Sequence, residues 1–226
     1  MTGASSGIGL AVCHALAAAG ARLWLVARTE APLRAAAAAL GGRALPADVA
    51  DADAVARVAE RLTREAGGPP DMLVNAAGAF ALAPVAETGV EAFDRLLAVN
   101  LRAPFLLVRA FLPAMLARGS GHLLTIGSIA GRVGFPHNAA YAASKFGVRG
   151  LHAVLDTELR GTGVRATLLE PAATDTPLWD AVAADRHPGL PPRSAMLSPR
   201  AVADAVLYAL TRPPEVDVRA LTLERT

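Results

Sequence analysis

"MTGASSGIG", residues 1–9, opens the chain on a glycine-rich turn that runs straight into an apolar, alanine-rich stretch. A turn of this composition closes a strand and starts a helix. Gly3 permits a tight turn, Gly7 lets the backbone approach a pyrophosphate, and Gly9 lets the helix lie close to the sheet. The unpaired N–H groups at the start of such a helix face the phosphates. A glycine cluster can also be no more than a turn, so the rest of the chain has to decide.

Downstream of the turn, apolar strands alternate with helical stretches. The helix begun at Gly7 runs to Ala19 and ends at Gly20. "ARLWLVA" reads as a strand buried on both faces, because its apolar run is continuous. Thr29 caps a short helix with Pro32 in its first turn. "RALPADV" is a second short strand, and Asp51 caps a helix to Ala66. "DMLVNAAG" is a strand with its exit turn. Two helices fill Gly89 to Arg118, with Asn100 between or inside them. "HLLTIGS", a helix from Ala139 to Arg160, and "VRATLLEP" follow. A proline-rich segment from Pro171 to Pro199 breaks the alternation before a last helix, from Ser198-Pro199 to Leu210, and a final strand in "VDVRALTLE". Such alternation, without linker or repeat, predicts one α/β domain over 1–226, a doubly wound Rossmann parallel sheet.

The chain has 226 residues, 53% apolar and 19% charged, with a net charge of +2. No run of like charge marks a nucleic-acid surface. Cys13 is the sole cysteine, which excludes an internal disulfide framework and fits a reducing cytoplasm. Arg22 and Arg28 interrupt the most apolar early region, so no membrane-spanning run is expected. His14, His122, His137, His152 and His187 show no metal-ligand spacing, and no metal is expected.

A second signal lies in "SIAGRVGFPHNAAYAASK". Tyr141 and Lys145 stand four apart, on one face of the expected helix. Ser128 lies thirteen residues before Tyr141, at a strand end. Of 22 basic residues only Lys145 is lysine. A merely solvated cation there could have been arginine like the rest, so a compact ammonium is needed. A free phenol has a pKa of about 10, and a nearby ammonium lowers it by favouring the phenolate. Tyr141 thus reads as a general acid/base, Lys145 as its tuner, and Ser128 as a donor to the substrate oxygen.

The spacing TGxxxGxG, the "NAAG" turn and the Ser-Tyr-Lys set together resemble the short-chain dehydrogenase/reductase family, in its short single-domain branch. The resemblance covers nearly the whole chain. It implies hydride transfer between a nicotinamide and a carbonyl or secondary alcohol. It places Gly3, Ser5, Ser6, Gly7, Ile8 and Gly9 at the pyrophosphate, and Asp48 and Val49 at the adenine. Asn75, Ala76 and Gly78 lie along the cofactor, although the family's second Asn is Ala76 here. Asn100 matches the residue that holds a water between lysine and solvent. Tyr141 and Lys145 bond the nicotinamide ribose, while Pro171, Thr174 and Thr176 meet the nicotinamide or phosphate. Ala172 stands where the family has glycine.

An acid often binds the adenosine ribose at the end of the second family strand. Here Ala27 is followed by Arg28, whose fork pairs with a 2′-phosphate. NADP(H) is therefore expected over NAD(H). Leu178, Trp179, Val182 and Leu190 read either as an apolar lid, which points to an apolar small-molecule ketone or alcohol, or equally as an amphipathic helix closing the core. The resemblance also implies a homotetramer or homodimer packed through the Asn100–Arg118 and Tyr141–Arg160 helices, with Ala139, Ala140, Ala142 and Ala143 allowing close approach.

The family's strand order is 3-2-1-4-5-6-7, and its first, central strand ends just before the Thr-Gly of the turn. That strand is missing ahead of Thr2, and a start codon assigned too far downstream would explain it. Other readings are a non-catalytic nucleotide-binding module, a poorly folded truncation, and a sugar-nucleotide epimerase or dehydratase. The glycine spacing and the lack of a large C-terminal substrate domain disfavour the last.

Overall fold

The structure is a computed structural model and describes residues 1–182 and 189–226. Strands β1 (Trp24–Ala27) and β2 (Arg43–Pro46) pair in parallel. Strands β3 (Met72–Asn75), β4 (Gly121–Ile126), β5 (Val164–Pro171) and β6 (Ala220–Leu223) form a second parallel group in that order. β6 covers only the second half of the expected final strand.

Met1 and Thr2 join the two groups. Thr2 bridges Val26 in parallel, its N–H donates to Val74 O at 2.9 Å, and Val26 N–H donates to Met1 O at 2.8 Å. The opening residues thus occupy the position of the expected first strand, though for two residues only. Counting them, the order across the molecule is β2-β1-(Met1–Thr2)-β3-β4-β5-β6, which is compatible with 3-2-1-4-5-6-7. The N-terminal ammonium is buried against Trp24 O at 3.0 Å, and that burial lowers its pKa.

Helices cover both faces of the sheet. Side chains alternate along each strand, so Leu25, Val74 and Leu124 face one way while Val26, Leu73 and Leu123 face the other. The first set packs on α1 (Gly7–Ala18), α2 (Glu30–Ala39) and α7 (Pro199–Leu210) through Val12, Leu16, Leu33 and Val206. The second packs on α3 (Ala52–Ala66), α5 (Ala103–Arg118) and α6 (Ala139–Glu158) through Val55, Leu62, Phe111 and Leu155. Asp51 accepts from Asp53 N–H at the start of α3, and Ser198 from Ala201 N–H at the start of α7. Thr29 is the N-cap residue of α2 but makes no side-chain cap bond.

The two helices expected over Gly89 to Arg118 are one continuous helix. It comprises α4 (Val90–Leu97), a π-helical turn (Ala98–Arg102) and α5. This helix is long and apolar enough, by length and composition, to cross a membrane, which corrects the expectation from sequence. Its inward residues Leu107, Phe111 and Met115 are buried in the core. The π turn widens the helix locally, a distortion that commonly marks functional sites. Here it turns Asn100 inward, with 1% of its surface exposed.

Candidate active site

The glycine turn is built against the exit turn of β3. Gly3 has φ +64°, and a Cβ there would lie 2.6 Å from Ala76 O. Thr2 makes the same connection with its side chain. Its Oγ1 accepts from Ala76 N–H at 3.1 Å and Ala77 N–H at 3.2 Å. A Cβ on Gly9 would lie 2.1 Å from Gly3 O. Gly9 is therefore small because α1 closes on its own turn, and close helix–sheet approach is not the constraint found.

A cavity of about 260 Å³ opens at this turn. Gly3, Ser5, Ser6, Gly7, Ile8, Gly9, Arg28, Asp48, Val49, Ala76, Gly78 and Thr176 all line it. The first turn of α1 carries no acidic residue and Ser6 makes no cap bond, so its N-terminal field is left for an anion. Arg28 is exposed at the cavity's edge, with no hydrogen bond or ion pair among the described residues. A dinucleotide's phosphates fit this cradle, because the open N-terminal turn of α1 and the Arg28 cation both border it.

Other expected cofactor residues lie outside the cavity lining. Asn75 is buried in the sheet beneath it and donates to Thr125 Oγ1 at 3.4 Å. Pro171 ends β5. The Thr174 hydroxyl is spent on Ala172 O at 3.0 Å, whereas Thr176 packs over Gly7, whose Cβ would lie 3.2 Å from it. Asp48 also accepts from Ala50 N–H at 3.0 Å, which fixes its turn.

Asn100, Ser128, Tyr141 and Lys145 converge at the carboxyl ends of β3, β4 and β5. Asn100 Oδ1 accepts from Ala79 N–H at 2.8 Å, and its amide donates to Ala79 O at 2.9 Å and to Ser144 Oγ at 3.0 Å. Ser144 in turn donates to Tyr141 O at 2.6 Å. Both amide protons are spent on protein groups, so the side chain ties the β3 exit turn to α6.

Ser128 follows β4 and lies beside the Tyr141 phenol. It accepts from Ala130 N–H at 3.1 Å, which fixes its rotamer. Lys145 Nζ, largely buried, donates to Ile126 O at 2.9 Å and lies 5.6 Å from the Tyr141 ring centre. Burial pushes Lys145 down to about 8. Burial also pushes Tyr141 up to about 12, against a smaller downward pull from the nearby Ser128 hydroxyl. The sequence predicted the opposite direction for the phenol. The difference arises because the amine turns to a main-chain carbonyl and burial outweighs it.

One wall beside the phenol was not read from the sequence. Phe80 meets the Tyr141 ring edge-on at 4.9 Å and the Trp179 ring at the same distance. Ala83, in the same loop, donates to His137 O at 2.9 Å and bridges Asn138. Trp179 belongs to a 3₁₀ segment (Pro177–Val182), and its indole N–H is held by Thr174 O at 2.9 Å. Trp179 was visible as part of an apolar lid, but Phe80 carried no local signal. Leu178 and Trp179 sit at this site. His187 lies outside the described residues.

His122 and His152 are buried, and burial lowers both to about 4. Among the described residues no group of three or more His, Cys, Asp or Glu forms a metal cluster. Cys13 is buried and its thiol is pushed up to about 11 by that burial.

Comparison with known proteins accords with this geometry. The short chain dehydrogenase family matches residues 1–187. A short chain dehydrogenase of Pseudocercospora fijiensis is 38% identical over 221 residues, covering 92% of this chain and 71% of that protein. The D-threitol dehydrogenase of Mycolicibacterium smegmatis is 38% identical over 217 residues, 92% of this chain and 83% of the relative. The crystal structure of a metagenomic short-chain oxidoreductase in complex with NADP superposes with a TM-score of 0.83 at 35% identity, over 100% of this chain and 95% of the other. With its glycine turn, its Rossmann sheet and this degree of likeness, the chain belongs to the short-chain dehydrogenase/reductase family of oxidoreductases acting on CH–OH groups with a nicotinamide cofactor.

Proposed function

We propose that this protein is an NADP(H)-dependent reductase of apolar ketones, with Tyr141 as the proton donor. The observation that carries the reading is the placement of Ser128 beside the Tyr141 phenol with Lys145 behind it. When bound, the reduced nicotinamide supplies a hydride to the carbonyl carbon. Ser128 and Tyr141 hold the carbonyl oxygen from one side, so the developing negative charge meets two O–H donors. The phenol then gives its proton to that oxygen and leaves an alcohol. A phenol pushed up to about 12 stays protonated near neutral pH, as the proton donor in reduction must. Lys145 lies close enough to favour the transient phenolate.

Arg28 at the cavity edge, with no acid at Ala27, supports NADP(H) over NAD(H). The Phe80, Tyr141 and Trp179 rings support an apolar substrate with a flat face. Phe105 and Leu116 on α5, with Phe146 and Val154 on α6, remain exposed and support a homodimer or homotetramer through these helices. Ala139 and Ala143 remain open for such contact, whereas Ala140 and Ala142 face the protein's own core.

A screen of NADPH and NADH consumption over ketones of graded size and aromaticity tests the reading. Turnover with NADPH exceeding that with NADH, and loss of that preference in Arg28→Ala, is the expected result. Preference for NADH overturns the cofactor assignment. Cofactor binding without turnover of any ketone favours the non-catalytic module instead.

A further inference from the structure

The buried carboxylate of Glu170 carries an inference that the reaction chemistry does not use. Glu170 is 1% exposed and lies on β5, next to Pro171. An ionised carboxylate at that depth requires partners. Arg132 supplies one guanidinium, with Nε to Oε2 at 2.7 Å and Nη2 to Oε2 at 2.5 Å. Arg149 supplies the other, with Nη1 to Oε1 at 2.8 Å and to Oε2 at 3.0 Å.

The two arginines belong to the two elements that carry the proton-transfer groups. Arg132 lies four residues after Ser128, just past the 3₁₀ turn Ile129–Gly131. Arg149 lies on α6, one helical turn beyond Lys145 and two beyond Tyr141. The loop between them is squeezed from both sides. A Cβ on Gly127 would lie 3.2 Å from Glu170 Cγ, and a Cβ on Gly131 would lie 2.8 Å from Lys145 O. Gly127 N–H also donates to Leu169 O at 2.7 Å.

We propose that Glu170 is a positioning residue for catalysis: clamped by Arg132 and Arg149, it fixes the Ser128 loop against α6 so that the Ser128 hydroxyl and the Tyr141 phenol address one substrate oxygen. The inference rests on the proposed ketone reduction. Two hydroxyls acting on one atom tolerate little relative movement, and small misplacements cost rate steeply. The heads of both arginines reach solvent, with 40% and 44% of their side chains exposed. Breaking the clamp therefore frees the loop without stranding a buried cation.

The test is ketone reduction by Glu170→Gln and Arg132→Ala, each also made in a Ser128→Ala background, with NADPH affinity and circular dichroism measured alongside. Each single variant is expected to keep NADPH affinity within about twofold while kcat falls by about tenfold or more, as for a lost alignment. In the Ser128→Ala background the further loss shrinks to within about twofold, because coupled residues are non-additive. Arg132→Lys recovers part of the rate. Arg132→Ala keeps the test open if Glu170→Gln folds poorly. The inference is overturned if both variants retain wild-type kcat, if kcat falls only in step with the folded fraction, or if the losses multiply fully with Ser128→Ala. Inactive Tyr141→Phe beside fully active Glu170→Gln removes this inference and leaves the proposed reaction standing. A wild-type protein that turns over no ketone removes both.

Discussion

Lys145 Nζ donates to the main-chain oxygen of Ile126 at 2.9 Å, two residues before Ser128 and 5.6 Å from the centre of the Tyr141 ring. The only lysine in the chain is thus held by the strand that delivers the serine. A guanidinium needs a broader slot and more acceptors than this carbonyl offers. Lys145→Arg and Lys145→Met are both expected to lower kcat for reduction by about 10²-fold or more. The wild-type rate should hold at lower pH and decline as pH rises through about 8, where the amine loses its charge. A pH profile of kcat checks this. Lys145→Arg should lack that inflection, because its cation does not titrate there.

Thr2 satisfies two amides of the β3 exit turn through one oxygen. Thr2→Val keeps the shape and removes the acceptor. Leaving those N–H groups unpaired should destabilise the fold by about 1–3 kcal/mol and weaken cofactor binding. Thr2→Ser should restore both. Thermal melts and a fluorescence titration with NADPH measure the two effects.

Gly9→Ala is expected to be far worse than an ordinary helical substitution. An alanine would normally favour a helix by about 1 kcal/mol over glycine. Here its Cβ would lie 2.1 Å from Gly3 O, which is backbone and cannot step aside. The variant should lose cofactor binding and several degrees of melting temperature. A melting temperature equal to that of the wild type would contradict the turn geometry.

His122 and His152 predict acid sensitivity. Their folded pKa values, about 4, lie below the ordinary value of 6.5, so the unfolded chain binds more protons between those limits. Stability is therefore fully present above about 6.5 and is lost as pH falls towards 4, each histidine contributing about 1.4 kcal/mol per pH unit. His122 Nε2 also meets Thr167 Oγ1 at 2.8 Å, while neither ring nitrogen of His152 has a hydrogen-bond partner. His152→Leu is the cleaner probe, and it should remove about half of this slope in urea melts across the window.

What could be read from sequence depended on how far apart in the chain the contacting residues lie. The glycine turn and the Ser-Tyr-Lys set were legible because each sits in one short stretch whose spacing is itself the geometry. The strand alternation was legible because burial on both faces leaves continuous apolar runs. The π turn was not legible, since nothing around Asn100 marks one extra residue in a helix. Phe80 against Tyr141, Glu170 between Arg132 and Arg149, and Thr2 beneath Ala76 join residues 61, 38, 21 and 74 positions apart. No periodicity records such pairings. The direction of the Tyr141 shift failed for a related reason, because burial depends on the whole fold while the helix spacing shows only the neighbouring amine.

The most direct test of the account is NADPH-dependent ketone reduction by Tyr141→Phe, with cofactor affinity measured on the same protein. The variant keeps the ring and its contact with Phe80 but has no proton to give. The account predicts NADPH affinity within about twofold of wild type and turnover lower by about 10²–10⁴-fold. Turnover at the wild-type rate, or a loss explained entirely by failure to bind NADPH, contradicts it.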